Sequence, residues 1–579
     1  MMRILFLTHA FNSLTQRLYV ELTRLGHDVS IEFDIHDDVS IEAVELYRPD
    51  LIVTPYLRRA IPERIWRHHV CLVVHPGIVG DRGPSALDWA ILNGETEWGV
   101  TVLQATGEMD AGDVWAHAAF PMRAARKSSL YRNEVTEAAV GAVRLAIDRF
   151  ASGAYRPAPL DYSRPDVRGR PRPLMTQDDR RIDWQRDGTS TVLRKLRAAD
   201  SFPGVRDMLF GEPWLLFGGH REDTLRGTMP GEVIARRDGA ILRATEDGAV
   251  WITHLKRPAD AGPSFKLPAT MALGDRLADV PESSAGPLLA PPAGTWRDIW
   301  YEEANEVGYL HFDFYNGAMD RDDCERLRRA YTEATRRPSR VLVLMGGEDF
   351  WSNGIHLNLI EAAPSPADES WRNINAIDDL ARAILTTEGQ ITISGLRGNA
   401  GAGGVFLALA ADRVYAREGI ILNPHYKGMG NLYGSEYWTY SLPKRVGSER
   451  AVSITRNRLP LDAREAQRTG LVDEVFGSDP GAFVSRLREV AEGIAASPAF
   501  SDLLVEKQRN RAADEAAKPL ARYREEEMER MKLNFYGFDP SYHVARYNFV
   551  HKIPHSWTPR HLARHRGIGY PGAGGKRAA

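Results

Sequence analysis

Only two cysteines, Cys71 and Cys324, occur among 579 residues. They lie far apart, and Cys71 sits in an apolar run. This argues against a disulfide framework and for a reducing, cytoplasmic setting. No CxxC or HExxH pattern is present, so no metal is expected. No apolar run approaches the ~18 residues needed to span a bilayer. Ile4–Leu7 is also too short for the apolar core of a secretion signal. An excess of either charge is missing too: 74 basic residues against 77 acidic give −3. That speaks against a chain built mainly to coat nucleic acid or an anionic membrane. The first strand–helix turn, Thr8-His9-Ala10-Phe11-Asn12, lacks the GxGxxG that brings backbone close to a pyrophosphate, which disfavours a nicotinamide dinucleotide.

The chain is long enough for three or four domains. Ile4–Leu7, Val29–Phe33, Leu51–Val53 and Val70–Val74 read as buried strands. Ser13 with Gln16 reads as a capping box, Leu14, Leu18, Leu22 and Leu25 mark one helix face, and Gly26 ends it. This alternation predicts an α/β doubly wound domain over 1–175, whose ligand crevice lies at the carboxyl ends of the strands. Its last part, 157–175, is rich in Pro and Arg and reads as a linker. Short strands punctuated by Gly211-Glu212-Pro213, Pro230-Gly231, Asp238-Gly239 and Asp247-Gly248 predict a small β-rich unit over 176–257. Residues 258–296, loaded with Pro, Ala, Gly and Ser, read as a second linker. Strands and helices alternate again over 297–500. Residues 501–579 form a charged helical extension with a Gly/Lys/Arg tail expected to be mobile.

Residues 75–113 carry the first chemical pattern. His75 follows a strand and Arg82-Gly83 a loop. Gly99-Val100-Thr101 and Asp110-Ala111-Gly112-Asp113 come next, with Arg181-Ile182-Asp183-Trp184, Phe202-Pro203-Gly204 and Pro230-Gly231-Glu232-Val233 further on. In this order the motifs resemble the folate-dependent formyltransferases, over roughly residues 1–257. The resemblance implies attack on the formyl carbon of 10-formyltetrahydrofolate. Charge building on the formyl oxygen needs a donor, which a protonated imidazole supplies, and a carboxylate relays the proton through water. Carried over by motif, His75 is the donor, Asp110 the relay, and Tyr56 and Leu57 line the pterin loop. The family's Asn two residues before the His is Val73 here, and losing such a donor costs about 3 kcal/mol. A thiol acceptor, a stronger nucleophile than an amine once ionised, relaxes that need. The plainer reading of a lone His is a buried structural one; the surrounding motifs favour catalysis. Asp113 reads as a turn residue.

The second pattern begins after the apolar strand Val341–Leu344. Phe350 to His356 and Gly395 to Gly404 form two turns. They resemble those of the enoyl-CoA hydratase/isomerase (crotonase) superfamily, over about 297–500, where two backbone amides converge on a thioester carbonyl. By that resemblance the donors are the amides of Ile355 and Gly403. The hydratase acid positions are not kept: one is Phe406 and the other falls near His425. Tyr426 and Glu436 stand instead where a hydroxyl and a carboxyl in an apolar pocket can share a proton. The bland alternative is that Tyr426 packs and Glu436 caps a helix.

A formyltransferase followed by a crotonase resembles the HypX (HoxX) family of hydrogenase maturation factors. The resemblance implies formyl transfer from 10-formyltetrahydrofolate to coenzyme A, then collapse of formyl-CoA to CO for a [NiFe]-hydrogenase. It implies folate, coenzyme A and a hydrogenase large subunit or its assembly factors as partners. Asn316 and Ser201 are candidates for lining the route of the coenzyme A arm, and Arg132 and Arg546 for its phosphates. Surface Arg is more often simply solvated. Two other classes stay open. One is a formyltransferase for tRNA or an amino sugar with an inert crotonase domain, the Arg164–Arg172 run then meeting phosphates. The other is a binding chaperone without chemistry, which would need neither His75 nor the two turns.

Overall fold

The computed structural model describes residues 1–262, 264–284 and 294–567; the basic tail beyond lies outside them. Two compact units result, one of residues 1–219 with the segment after 553, the other of residues 220–553.

In the first unit the strands are β1 (Arg3–Thr8), β2 (Asp28–Phe33), β3 (Leu51–Thr54), β4 (Cys71–His75), β5 (Glu97–Gln104) and β6 (Val114–Pro121), in the order β2-β1-β3-β4-β5-β6. The first four pair in parallel, and β5 and β6 add antiparallel to the edge. Helix Ser13–Arg24 starts one residue earlier in logic than expected. Asn12 is its cap, accepting from the Thr15 amide, while Gln16 turns back to the Phe11 carbonyl. Leu14, Leu18 and Leu22 are buried, but Leu25 ends the helix exposed.

The 157–175 segment is no free linker. It lies along the loop after β4, with Arg172 N donating to Arg82 O and Gly169 N to Val79 O. Close contact is possible because a Cβ at Gly83 would strike the Arg172 carbonyl. Residues 554–567 also belong to this unit. Glu32 of β2 is fully buried and receives Thr558 Oγ1, His565 Nε2 (2.9 Å) and Arg566 Nε (2.6 Å). Burial pushes its carboxyl up, but these hydrogen bonds outweigh that and hold it below the usual range.

Strands β7 (Val205–Leu209) and β8 (Glu212–Glu222) form a hairpin, and the division between the units falls within β8. The second unit continues with the antiparallel β9 (Val233–Arg237), β10 (Ala240–Ala244) and β11 (Ala249–Lys256). The supposed linker 258–296 is partly ordered: β12 (Leu267–Pro268) pairs with β11, and helix Ala269–Leu273 buries Ala269 and Leu273. A Pro- and Gly-rich composition reads as spacer, yet these few apolar side chains anchor it.

Then two sheets are built in alternation. The main one runs β13 (Ile299–Ala304), β14 (Val307–Phe312), β16 (Val341–Met345), β19 (Ile391–Leu396), β21 (Arg413–Arg417) and β24 (Glu474–Phe476). Short strands alternate with them to make a second sheet: β17 (Phe350–Ser352), β20 (Asn399–Gly401), β22 (Ile421–Asn423) and β23 (Leu461–Asp462). β15 (Ala318–Met319) pairs with β18 (Gly354–Ile355). Each return from the main sheet to the small one places a turn at the same end, which is how residues near 355 and 403 meet. Helices Pro366–Leu385, Phe500–Ala517, Leu520–Tyr536 and Ser541–His551 cover this core.

Candidate active sites

His75 ends β4 and is almost completely buried. Its Nδ1 lies 3.6 Å from Asp110 Oδ2, so the sequence-predicted pair is brought together. The turn that carries Asp110 has the residue at φ 52, and its carboxylate accepts from the Gly83 amide at 3.1 Å. Arg82 ties the same turn down through Met109 O (3.1 Å) and Glu108. The Gly-Val-Thr motif has a positional purpose: Thr101 Oγ1 donates to Gly77 O at 2.8 Å and fixes the loop after His75.

A residue not singled out in the sequence completes the group. Asp81, wholly buried, lies 3.1 Å from His75 Nε2, and its other oxygen is 3.0 Å from Arg172 Nε. Both ring nitrogens therefore face carboxylates, and a carboxylate only accepts. Gly77 makes the contact possible, since a Cβ there would come within 2.6 Å of His75 Cδ2 and 2.8 Å of Asp81 Oδ1. The available signal was an acid between two glycine turns, Gly80 and Gly83, six residues after the His. Tyr56 and Leu57 lie at the carboxyl end of β3, half-buried, with Tyr131 edge-on to Tyr56.

In the second unit, Gly354 and Gly403 touch: a Cβ on Gly354 would lie 3.3 Å from the Gly403 amide nitrogen. Gly403 opens the helix Gly403–Ala408, so its amide has no acceptor within the helix. A Cβ at Gly403 would overlap Glu436 Oε1. The carboxyl thus lies directly against the turn expected to polarise a thioester. Tyr426 Oη contacts Glu436 Oε2 and lies 3.0 Å from Ser435 O. One phenolic hydrogen cannot serve two acceptors, so the contact is best satisfied when Glu436 carries a proton. Burial, reinforced by the charge of Asp378, pushes Glu436 up to about 8. Burial also drives the Tyr426 hydroxyl well above the tyrosine range, so it remains a donor. Phe406 is fully buried and stacks on the Tyr426 ring, centroids 5.1 Å apart. It closes with carbon the place where a hydratase acid would stand.

Of the remaining candidates, Ser201 and Arg132 belong to the first unit, Asn316 and Arg546 to the second. Ser201 is exposed at φ 68, and Arg132 sits on a π-helical turn, Tyr131–Val135. Asn316, at φ 57, accepts through its carbonyl from Asn353 Nδ2. Arg546 turns inward, buried, with Nε 2.8 Å from Glu361 and a second contact to His543. Among the described residues no cluster suited to a metal ion occurs, and no helix is long and apolar enough to cross a membrane.

Comparison with known proteins follows the same division. The formyl transferase family model matches residues 32–147, the formyl transferase C-terminal domain 174–262, and the enoyl-CoA hydratase/isomerase family 316–558. The hydrogenase maturation factor HoxX of Bradyrhizobium diazoefficiens is 56% identical over 98% of this chain and 97% of its own length. The crystal structure of HypX from Aquifex aeolicus in complex with tetrahydrofolic acid superposes with a TM-score of 0.95 at 51% identity, covering 98% of this chain and 99% of that one. Methionyl-tRNA formyltransferase of Roseiflexus castenholzii is 32% identical, over 44% of this chain and 82% of its own.

Proposed function

The chain belongs to the HypX/HoxX family of hydrogenase maturation factors, and from that premise we propose that it makes carbon monoxide from a folate-borne formyl group through formyl-coenzyme A. In the first unit the coenzyme A thiolate attacks the formyl carbon of 10-formyltetrahydrofolate. The carbon–N10 bond breaks and N10 takes up a proton. His75 donates to the developing oxyanion, Asp110 relays the proton, and Tyr56 and Leu57 border the pterin. Asp81, itself paired with Arg172, holds the imidazole in place.

In the second unit the amides of Ile355 and Gly403 polarise the formyl thioester carbonyl. Ionised Glu436 takes the formyl hydrogen as a proton. The carbon–sulfur bond breaks with its electron pair on sulfur, CO leaves, and Glu436 returns the proton to the thiolate while Tyr426 steadies it. Atoms and charge balance with no oxidant. A formyl thioester has no β-carbon, so the acids a hydratase uses would have no substrate. Ser201, Asn316, Arg132 and Arg546 remain candidates for the coenzyme A arm; for Arg546 this requires release from Glu361.

The observation that carries this reading is Glu436 set against Gly403, with Phe406 in place of a second acid. A tRNA acceptor is disfavoured by the arginine run: Arg164 pairs with Asp166, Arg168 with Glu97 and Arg172 with Asp81. The test is incubation with 10-formyltetrahydrofolate and coenzyme A, with CO trapped on reduced haemoglobin. CO that depends on both reactants is expected. Release of tetrahydrofolate without CO overturns the second half, and formylation of tRNA in place of coenzyme A overturns the first.

A further inference from the structure

The mechanism above leaves two buried carboxylates without a task. Asp378, on helix Pro366–Leu385, and Glu527, on helix Leu520–Tyr536, are both fully buried. Both point at the short stretch that carries Glu436. Asp378 Oδ1 accepts from the Glu436 amide at 2.8 Å, and its two oxygens receive Ser435 Oγ at 2.8 and 2.6 Å. Glu527 accepts from the amides of Tyr437 (3.0 Å) and Thr439 (2.8 Å) and from the Thr439 hydroxyl.

The stretch needs such support. Glu436 and Tyr437 both adopt left-handed backbone, φ 60 and 57, in succession and without glycine. Large side chains avoid this region, and such geometry persists only where surroundings over-determine it. The reversal carries the Glu436 side chain back across Ser435, whose amide it accepts at 3.2 Å, onto Gly403 and Tyr426.

We propose that Asp378 is a positioning residue for CO release: with Glu527 it clamps the left-handed Ser435–Tyr437 turn that aims Glu436 at the thioester, and it supplies the negative charge that Glu436 feels. The inference rests on the reading of Glu436 as the group that takes the formyl proton. The charge state supports it. Burial pushes Asp378 up to only about 6, because the Ser435 hydroxyl and Arg524 oppose the rise. Burial and then Asp378 push Glu436 and Glu527 up to about 8. At neutral pH the cluster's negative charge therefore resides on Asp378, with Arg524 Nε 3.7 Å away. Tyr426, Glu527 and Cys324 are the other titratable groups that face Glu436, and Arg524 is itself shared with Asp379.

Glu436 must be ionised to accept a proton from carbon, so CO release rises with pH through its ionisation. Asp378 opposes that ionisation. In the full-length protein, supplied with formyl-coenzyme A, Asp378→Asn should lower CO release about tenfold at high pH through looser aim of Glu436. It should also move the ascending limb about one pH unit to the acid side. Formyl-coenzyme A synthesis in the same sample stays unchanged and reports that the chain is folded. Arg524→Gln, at a partly exposed side chain lining a pocket of about 310 Å³, is the second variant; loss of its positive charge should move the limb to the alkaline side. A limb that stays in place in both overturns the inference, whatever the loss of rate. If instead Glu436→Gln still releases CO, the underlying reading of Glu436 falls.

Discussion

On the proposed mechanism the two units steady a developing negative oxygen by opposite means. In the first, the proposed donor is a side chain, His75, whose Nε2 meets Asp81 at 3.1 Å and whose Nδ1 lies 3.6 Å from Asp110, both within 35 residues of it in sequence. In the second, the expected donors are backbone amides, and the acid beside them is held by carboxylates 58 and 91 residues away from it, on two different helices. A side-chain donor announces itself as a residue type. A backbone donor shows only as glycine, and its supporting shell leaves no local motif at all.

This contrast can be broken at its glycines. Gly403→Ala keeps an allowed backbone but places a methyl on Glu436 Oε1. We expect CO release from formyl-coenzyme A to fall about 10²-fold through misplacement of Glu436, while formyl transfer to coenzyme A is untouched. The mirror variant is Gly77→Ala, whose methyl would crowd His75 and Asp81. Formyl transfer should fall about 10²-fold through misplacement of the imidazole, with CO release from supplied formyl-coenzyme A unchanged. If either variant damages both activities equally, the two sites are not independent.

Smaller effects sharpen the comparison. Asp81→Asn preserves shape but takes from the buried Arg172 its nearer charge partner, leaving only Glu95 at 3.9 Å. Formyl transfer should drop about tenfold, a part of the ~10²–10⁴ that acid–base groups contribute. Chemical denaturation should show a loss of about 3 kcal/mol from the broken buried pair. Stability itself should depend on pH through the second unit. The folded state holds protons on Glu436 and Glu527 up to about 8, whereas their unfolded counterparts release them near 4.5. Native protein binds more protons across that window, so stability falls as pH rises from about 4.5 to 8 and levels above it. Glu436→Gln should flatten part of this decline in a melting series. The smallest effect is expected at the arginine run. Arg164→Ala and Arg168→Ala remove surface pairs worth about 0–1 kcal/mol and should leave both activities as they are.

Much of this was legible in advance, and the misses share a cause. The strands of the first sheet follow from short apolar runs, and His75 with Asp110 from ordered motifs. Tyr426 and Glu436 stand out because the hydratase acid positions, Phe406 and one near His425, are not kept, and a hydroxyl and a carboxyl stand nearby instead. Asp378 was missed although it leaves a trace: it sits on the apolar face of its helix beside Ile374, Ile377 and Ala381. Glu527 likewise shares a buried stripe with Met528, Met531 and Phe535. An acid on an apolar stripe signals a buried partner but does not say which. Arg172 was hidden by composition, since a Pro- and Arg-rich stretch resembles a spacer. The pairing of Thr558, His565 and Arg566 with Glu32 spans more than 500 residues, and no local pattern encodes it.

The separation of formyl transfer at His75 from CO release at Glu436 underlies the whole proposal. It is tested most directly by supplying formyl-coenzyme A, without folate, to His75→Ala and Glu436→Gln and trapping CO. CO release at the wild-type level is expected from the His75 variant and none above background from the Glu436 variant. CO release that fails with His75→Ala, or survives in Glu436→Gln, would contradict it.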